Sequence, residues 1–226
     1  RSSSVTALSI CRLVSGALIT GEIMYRKKND FKVMDLLSLN EKELLKIRGA
    51  LIAYIFQDPS SSLNPVIKVG AQIIESFQVH RKASRSEAKK KAFELMALTG
   101  ITDFERVYES YPHELSGGLK QRVMIASALM TSPELLIADE PTTALDAVTQ
   151  GIILRLLRDV QRRFNLTILF ITHDLSLASG IADVIYVMER GRVVERLSKC
   201  DGFQCRREYS KKLFNAQLDG VPPGQL

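Results

Sequence analysis

The sequence is poor in cysteine and has no long apolar run. Its three cysteines, Cys11, Cys200 and Cys205, are too few and odd in number for a disulfide framework, so they indicate a reducing compartment. No further Cys or His completes a zinc-binding set beside Cys200 and Cys205. No apolar segment approaches the roughly 20 residues of a membrane-spanning helix, so we expect membrane contact to come through partner proteins.

Basic residues are scattered and lack the interleaved aromatics of a nucleic-acid groove. The net charge is +6, and the basic clusters lie at residues 26–28, 89–91, 162–163 and 206–207. These clusters indicate solvated faces, so no nucleic-acid partner is expected. With 226 residues, 46% of them apolar, the chain can bury one sizeable core, alone or with a small subdomain.

A Ser-Gly-Gly turn at residues 116–118 precedes a helical pattern at residues 119–130. Ser116 is a good N-cap residue, and Gly117 and Gly118 let backbone N–H groups approach a ligand closely. The helix N-terminus adds partial positive charge, so the turn is a candidate anion site. Taken alone, the same pattern is also common as a simple helix cap.

Two carboxylates follow a buried strand predicted at residues 135–138. Ligands bind at the carboxyl ends of strands in open α/β sheets, and Asp139 is placed there to hold a hydrated Mg²⁺ ion. Glu140 is placed to orient or deprotonate a water molecule. Alone, an Asp-Glu-Pro sequence after a strand is also typical of a turn.

Together, the Ser-Gly-Gly turn and the strand followed by two carboxylates resemble the ABC ATPases. The signature motif is LSGGLKQ at residues 115–121, the Walker B strand is LLIADE at residues 135–140, and the D-loop is ALD at residues 144–146. The resemblance implies a P-loop NTPase-like α/β core with a mostly parallel sheet and a small α-helical subdomain. It also implies ATP and Mg²⁺ as ligands.

Two further strands end in residues that match this family. Gln57 follows the apolar run 51–56, in the position of the family's Q-loop. His173 follows the apolar run 167–171, in the position of the switch histidine. The sequences FQDP, SLNP and YPHELSGG are similar to the peptide/nickel branch of ABC importers.

The opening residues depart from the family pattern. ABC ATPases have a glycine-rich P-loop with a lysine before a helix like the one predicted near residues 5–10. If Ser4 matches the last P-loop residue, Ser3 stands where the lysine belongs, and only the Ser4 hydroxyl remains to bind Mg²⁺. We therefore expect an N-terminally incomplete sequence, without the P-loop or the preceding strands, and the absent lysine is an expected cause of inactivity in this chain.

The predicted organisation follows the motifs. Val69 opens a run of amphipathic helices, in which Ser84 and Glu87 form a capping box, and no strand pattern appears before the signature helix. The predicted divisions are a first part of a RecA-like core at 1–68, a helical subdomain at 69–130, a second core part at 131–200 and a tail at 201–226.

The resemblance implies an ATP-binding subunit of an importer for peptides or nickel. Two subunits would form a head-to-tail dimer, with each ATP between the P-loop face of one and the signature face of the other. Glu140, His173 and Gln57 are the implied catalytic residues. The implied Mg²⁺ ligands are Ser4, Gln57 and Asp139. The implied nucleotide contacts are Ser4, Ser116, Gly117, Gly118, Gln121 and Asp146.

The implied partners are a second ATPase subunit, identical or different, and transmembrane permease subunits at the cytoplasmic face of the inner membrane. A solute-binding protein is an implied indirect partner. The membrane and solute-binding partners determine which solute is transported. Two alternatives stay open. One is a degenerate or truncated cassette that supplies its signature to a partner ATPase without hydrolysing ATP. The other is an ABC ATPase of DNA repair or translation, which usually carries a coiled coil or a zinc insertion.

Overall fold

Three short parallel strands form the centre of the computed structural model, which describes residues 2–14, 16–28, 30–143 and 145–218. The helices are α1 (Ser2–Ile10), α2 (Glu41–Leu45), α3 (Pro59–Ser62), α4 (Val69–Arg81), α5 (Arg85–Leu98), α6 (Phe104–Glu109), α7 (Gly117–Leu129), α8 (Ala147–Phe164), α9 (Leu175–Ile181) and α10 (Glu208–Leu218). The strands are β1 (Met24–Arg26), β2 (Val33–Asp35), β3 (Ile52–Ile55), β4 (Leu135–Asp139), β5 (Thr167–Ile171), β6 (Val184–Glu189) and β7 (Arg192–Ser198).

The central sheet has the order β3-β4-β5, and both pairings are parallel. Ile55 of β3 lies opposite Ala138 of β4, which lies opposite Phe170 of β5. Because the register is nearly level, the residues that follow the three strands emerge at one edge of the sheet. The predicted α/β fold with a parallel sheet is confirmed.

Successive residues of the strands face two different parts of the core. Ala53 and Ile55 pack with the helical region and α8, whereas Ile52 packs on the opposite face with Ala7 of α1 and with Cys11, which follows that helix. This alternation is the two-residue period of a strand buried on both sides. Helices therefore cover both faces of the sheet, and α1 is fixed directly against it.

Helix α5, in the helical region from α4 to α7, starts with the capping box that the sequence predicts. Ser84 accepts a hydrogen bond from the Glu87 backbone N–H at 3.2 Å, and Glu87 accepts one from the Ser84 backbone N–H at 2.8 Å. Buried residues of α4, α5 and α7 share one apolar cluster with β3 and β4. The described core is thus continuous across the predicted boundary at residue 69, and the division into subdomains stays a prediction.

Several boundaries differ from those predicted. Helix α1 begins at Ser2, so Ser3 and Ser4 lie inside the helix and do not cap it. The alternating pattern of residues 21–25 predicts a strand, but β1 begins at Met24 and pairs antiparallel with β2, and Gly21 has a positive φ of 107° that a strand does not adopt. The cap pattern of Asn40 and Glu43 predicts a helix to Arg48, but α2 ends at Leu45 in a tighter turn.

The last part of the chain is a hairpin followed by a helix. The sequence pattern of residues 183–195 predicts a hairpin around Gly191, and β6 and β7 pair antiparallel there. Glu195 of β7 accepts hydrogen bonds from the backbone N–H groups of Arg206 at 2.6 Å and Arg207 at 3.2 Å, just before α10. This carboxylate joins the tail to the hairpin. Residues 219–226 of the predicted tail, and Ala144 of the predicted D-loop, lie outside the described residues.

Replacing Gly70 with Ala should destabilise the fold by about 1–3 kcal/mol, because an added methyl overpacks the core. A Cβ at Gly70 of α4 would lie 2.4 Å from ring atoms of Tyr108, whose ring also packs edge-on against Phe93. Urea denaturation measures the free energy of unfolding of each variant. Gly151→Ala in α8 is the matched control, since its Cβ would meet nothing within 4 Å and alanine favours a helix by about 1 kcal/mol. Equal stability of both variants would contradict the packing argument.

Candidate active site at the carboxyl edge of the sheet

Asp139, the last residue of β4, is only 5% exposed and accepts two side-chain hydrogen bonds. The hydroxyl of Ser4 donates to its Oδ1 at 2.8 Å, and the hydroxyl of Tyr54 donates to its Oδ2 at 2.9 Å. A buried carboxylate requires such donors, because an unpaired one is costly to take out of water. The structure thus brings together Ser4 and Asp139, as predicted, and adds Tyr54, which the sequence analysis missed.

Each donor is delivered by regular secondary structure. Ser4 lies in the first turns of α1, and Tyr54 lies in β3 on the side that faces α1. Burial raises the pKa of Tyr54, and its hydrogen bond to Asp139 raises it further. The tyrosine therefore stays protonated at neutral pH and acts as the donor of this pair.

Glu140 has a left-handed backbone conformation with φ of 46°, which is uncommon for a residue other than glycine. Its backbone N–H donates to the carbonyl of Ile171 on β5 at 2.9 Å, which continues the sheet contact by one residue. Left-handed strain of this kind persists only where surrounding contacts fix it. The conformation ends β4 and separates the side chain of Glu140 from that of Asp139.

The carboxylate of Glu140 is held by three side chains from three segments. Gln57 Nε2 donates to Oε2 at 3.1 Å, Thr143 Oγ1 donates to the same oxygen at 2.7 Å, and His173 Nδ1 lies 3.2 Å from Oε1. Gln57, Glu140 and His173 are therefore brought together, each from the end of a different parallel strand. Thr143 was not predicted, and only its position three residues after Glu140 in a turn could have indicated it.

The pKa of Glu140 is lowered by this arrangement. Partial burial favours the neutral acid, but hydrogen bonds from Thr143 and His173, and the charge of His173 when it is protonated, together favour the ionised form more strongly. Glu140 is therefore a carboxylate at neutral pH. It can accept a proton or orient a water molecule through an oxygen atom.

The donor set fits a magnesium ion. Asp139, the Ser4 hydroxyl and the amide oxygen of Gln57 offer the oxygen ligands that Mg²⁺ prefers, usually one or two carboxylates completed by substrate phosphates and water. In the described part of the chain, no group of three or more His, Cys, Asp or Glu side chains is placed to hold a metal ion. The residues present therefore suit an ion held jointly with a phosphate ligand.

The signature turn forms a second surface, on α7. Ser116 is exposed and caps the helix by accepting from the Leu119 N–H at 3.4 Å, and Gly117 is also exposed. A Cβ on Gly118 would lie 3.3 Å from the Thr149 methyl group of α8, so this helix start packs closely on the next one. Asp146 caps α8 and accepts from the N–H and hydroxyl of Thr149 at 3.0 and 2.6 Å.

Gln121 differs from the other predicted signature residues. It is 1% exposed, and its Nε2 has no hydrogen-bond partner among the described residues. Within the same residues, no hydrogen bond joins Ser116 or Gln121 to Asp139 or Glu140. The signature surface and the carboxylate site are thus separately built, and the predicted nucleotide contacts of the signature residues stay a prediction.

Comparisons with known proteins agree with the motifs. A family model described as ABC transporter matches residues 4–143. A probable peptide ABC transporter ATP-binding protein, y4tR of Sinorhizobium fredii, is 47% identical over 220 residues, which are 96% of this chain and 64% of that protein. The oligopeptide transport ATP-binding protein OppD of Bacillus subtilis is 48% identical over 85% of this chain and 53% of its own length. This chain therefore spans less than two thirds of these two relatives.

One further relative is covered more fully, and solved structures share the fold. The dipeptide transport ATP-binding protein DppD of Bacillus subtilis is 39% identical over 97% of this chain and 69% of its length. A dimeric structure of the ATP-binding cassette MJ0796 bound to ADP and Pi has a TM-score of 0.69 at 26% identity, covering 87% of this chain and 81% of the cassette. Another dimeric MJ0796 structure has a TM-score of 0.68 at 26% identity, covering 87% and 79%.

Thr143→Val should raise the pKa of Glu140, because it removes a hydrogen bond that favours the ionised carboxylate. Thr143→Ser keeps the hydroxyl and is the control. A carboxyl ¹³C NMR titration of Glu140 measures both values. Because a lowered folded-state pKa stabilises the fold only above that pKa, the stability advantage of the Ser variant should shrink as pH falls through it. Identical pKa values in the two variants would contradict the role of this hydroxyl.

Proposed function

The chain belongs to the ABC transporter family, and on this premise we propose that it is the ATP-binding and ATP-hydrolysing subunit of an importer for peptides. The relatives described above carry peptide, oligopeptide and dipeptide transport in their names, which supports a peptide as the solute. The proposal rests most directly on one observation: the Glu140 carboxylate is held by Gln57, Thr143 and His173 beside the buried Asp139.

Each residue of this group has a role suited to phosphoryl transfer to water. Ser4, Gln57 and Asp139 hold Mg²⁺, which when bound neutralises phosphate charge. Glu140 orients the attacking water and accepts its proton, because its carboxylate is ionised and rigidly placed. His173, whose side chain is 71% exposed, holds Glu140 from one side, and we propose that its exposed ring contacts the γ-phosphate.

This arrangement favours hydrolysis over a cassette that only supplies its signature to a partner. A non-hydrolysing cassette has no need for a carboxylate fixed by three donors in a strained backbone conformation. Glu140, Gln57 and His173 are all present and in mutual contact. In the family pattern the P-loop groups that bind the β- and γ-phosphates come immediately before the residue matched by Ser4, where this sequence has Ser3 in place of the lysine.

We also infer that the signature acts on the nucleotide of a second subunit. Ser116 and Gly117 are exposed at the start of α7, where the helix N-terminus attracts phosphate oxygens. Gly118, Gln121 and Asp146 are the other proposed nucleotide contacts of the signature surface. Of these, Gln121 is buried among the helices. Two solved cassettes of similar fold are dimeric structures, which supports such a pairing.

Membrane permease subunits are the remaining proposed partners, and the proposed location is peripheral, on the cytoplasmic face of the membrane. No helix in the described residues is long and apolar enough to cross a bilayer. Hydrolysis would then be coupled to alternating access in the permease, and a solute-binding protein would deliver the peptide to it. Reconstitution with a permease pair and a labelled peptide tests the transport part of the proposal.

Glu140→Gln should keep MgATP binding and lower the hydrolysis rate at least about 100-fold, because the amide cannot accept the proton of water. Phosphate release measures turnover, and titration calorimetry measures binding. Both are run on the chain and on a version with a glycine-rich loop and lysine placed before Ser4. Glu75→Gln, at an exposed carboxylate of α4, is the control. Undiminished hydrolysis by Glu140→Gln would remove Glu140 from its proposed role.

Mixing two inactive variants should restore hydrolysis if the signature acts between subunits. Glu140→Gln lacks the base, and Ser116→Arg blocks the signature surface with a bulky side chain, so each variant alone is inactive. A mixed dimer has one site with both Glu140 and Ser116 intact, because a two-fold pair exchanges surfaces between chains. Phosphate release from the mixture measures the recovery. A mixture as inactive as its components would show that the signature does not act on the partner's nucleotide.

A further inference from the structure

We propose that Tyr54 is a positioning residue for the metal-binding carboxylate of Asp139, setting which of its oxygens is presented to the cation. This inference rests on the proposed function, because it assigns Asp139 to the Mg²⁺ that accompanies ATP. It concerns a residue inside strand β3, outside the signature, Walker B and switch motifs. The tyrosine does not touch the phosphates or the water in this scheme, and it acts only through Asp139.

The two oxygens of Asp139 have different partners. Tyr54 donates to Oδ2 at 2.9 Å, and Ser4 donates to Oδ1 at 2.8 Å. A carboxylate rotates easily about its last side-chain bond, so a single donor would leave its plane poorly defined. Two donors on opposite oxygens fix that plane. Since Ser4 is itself a proposed metal ligand, Oδ1 is the oxygen on the cation side and Oδ2 is the oxygen held by the protein.

Tyr54 is well anchored for this role. Its ring centroid lies 4.5 Å from that of Phe56, and the ring packs in the apolar cluster between α1 and the sheet. Its backbone pairs with Ile137, two residues before Asp139, in the parallel register of β3 and β4. The hydroxyl is therefore placed by neighbouring strands of one sheet, and such placement is more rigid than placement by a loop.

Partners behind a metal ligand orient it and tune its affinity. Loss of one such partner typically lowers metal affinity about 10- to 100-fold, even though the ligand itself is unchanged. Without the Tyr54 hydroxyl, Oδ2 of a carboxylate that is 5% exposed loses its donor. Asp139 can then rotate to share Oδ1 and Oδ2 between Ser4 and the cation, which weakens the fixed geometry that Mg²⁺ demands.

Tyr25 of β1 offers a matched control at the opposite end of β4. Its hydroxyl donates to Oε2 of Glu134 at 2.9 Å, and Glu134 stands immediately before β4, whereas Asp139 ends it. Tyr25→Phe and Tyr54→Phe therefore remove the same type of hydrogen bond at opposite ends of one strand. Only Tyr54→Phe should affect metal binding.

The test is direct binding of Mn²⁺, as a paramagnetic substitute for Mg²⁺, in the presence of a non-hydrolysable ATP analogue. Electron paramagnetic resonance titration of free Mn²⁺ gives the dissociation constant without any need for turnover. We expect Tyr54→Phe to weaken Mn²⁺ binding about tenfold or more. Tyr25→Phe should match the wild-type protein. Tyr54→Met, an unbranched apolar replacement without a donor, should repeat the loss and serves if the Phe variant does not fold.

Two results obtained with the variants would overturn the inference alone. One is wild-type Mn²⁺ affinity in a folded Tyr54 variant, and the other is an equal loss in Tyr25→Phe, which would indicate general loosening of β4. A wild-type protein that binds the ATP analogue but no Mn²⁺ would also overturn it. A wild-type protein that binds neither the analogue nor Mn²⁺, with or without a P-loop added before Ser4, would overturn the proposed function and the inference with it.

Discussion

The level parallel pairing of β3, β4 and β5 is the constraint on which the site depends. Chain segments separated by about 80 and 30 residues end at the same edge of the sheet because Ile55, Ala138 and Phe170 lie side by side. A shift of one residue in either pairing would turn the strand faces over and move the following residue away from the edge. The apolar layers on both faces fix the register, so core packing positions the polar residues that follow it.

Two adjacent carboxylates acquire different chemistry from this edge. Asp139 still belongs to the strand and is buried between α1 and β3, where the hydroxyls of Ser4 and Tyr54 satisfy it. Glu140 turns out through a left-handed conformation and meets nitrogen and hydroxyl donors from three segments. One carboxylate is thus suited to hold a cation, and the other to hold water. The change in backbone conformation between them allows both roles within two residues.

The sequence predicts the ends of the strands better than their interiors. Gln57, Glu140 and His173 follow apolar runs, so the pattern alone places them together at one sheet edge. Tyr54 is missed because a tyrosine within an apolar strand has the pattern of a core residue, and only the pairing of β3 with β4 shows which carboxylate it meets. Thr143 is missed because its partner depends on the left-handed turn at Glu140, which no propensity predicts.

The signature motif locates a helix start in the sequence but does not determine which of its residues are exposed and which are buried. The helix period turns Gln121 inward to 1% exposure, while Ser116 and Gly117 stay at the surface. Within the described chain this surface packs against the start of α8 at Thr149 and makes no hydrogen bond to the carboxylate site. In the proposed function, a phosphate chain held beside Asp139 takes its second set of backbone donors from a partner subunit. Pairing two chains head to tail would supply that set twice by one symmetry operation, which is the physical reason for proposing a composite site instead of one completed within a single chain.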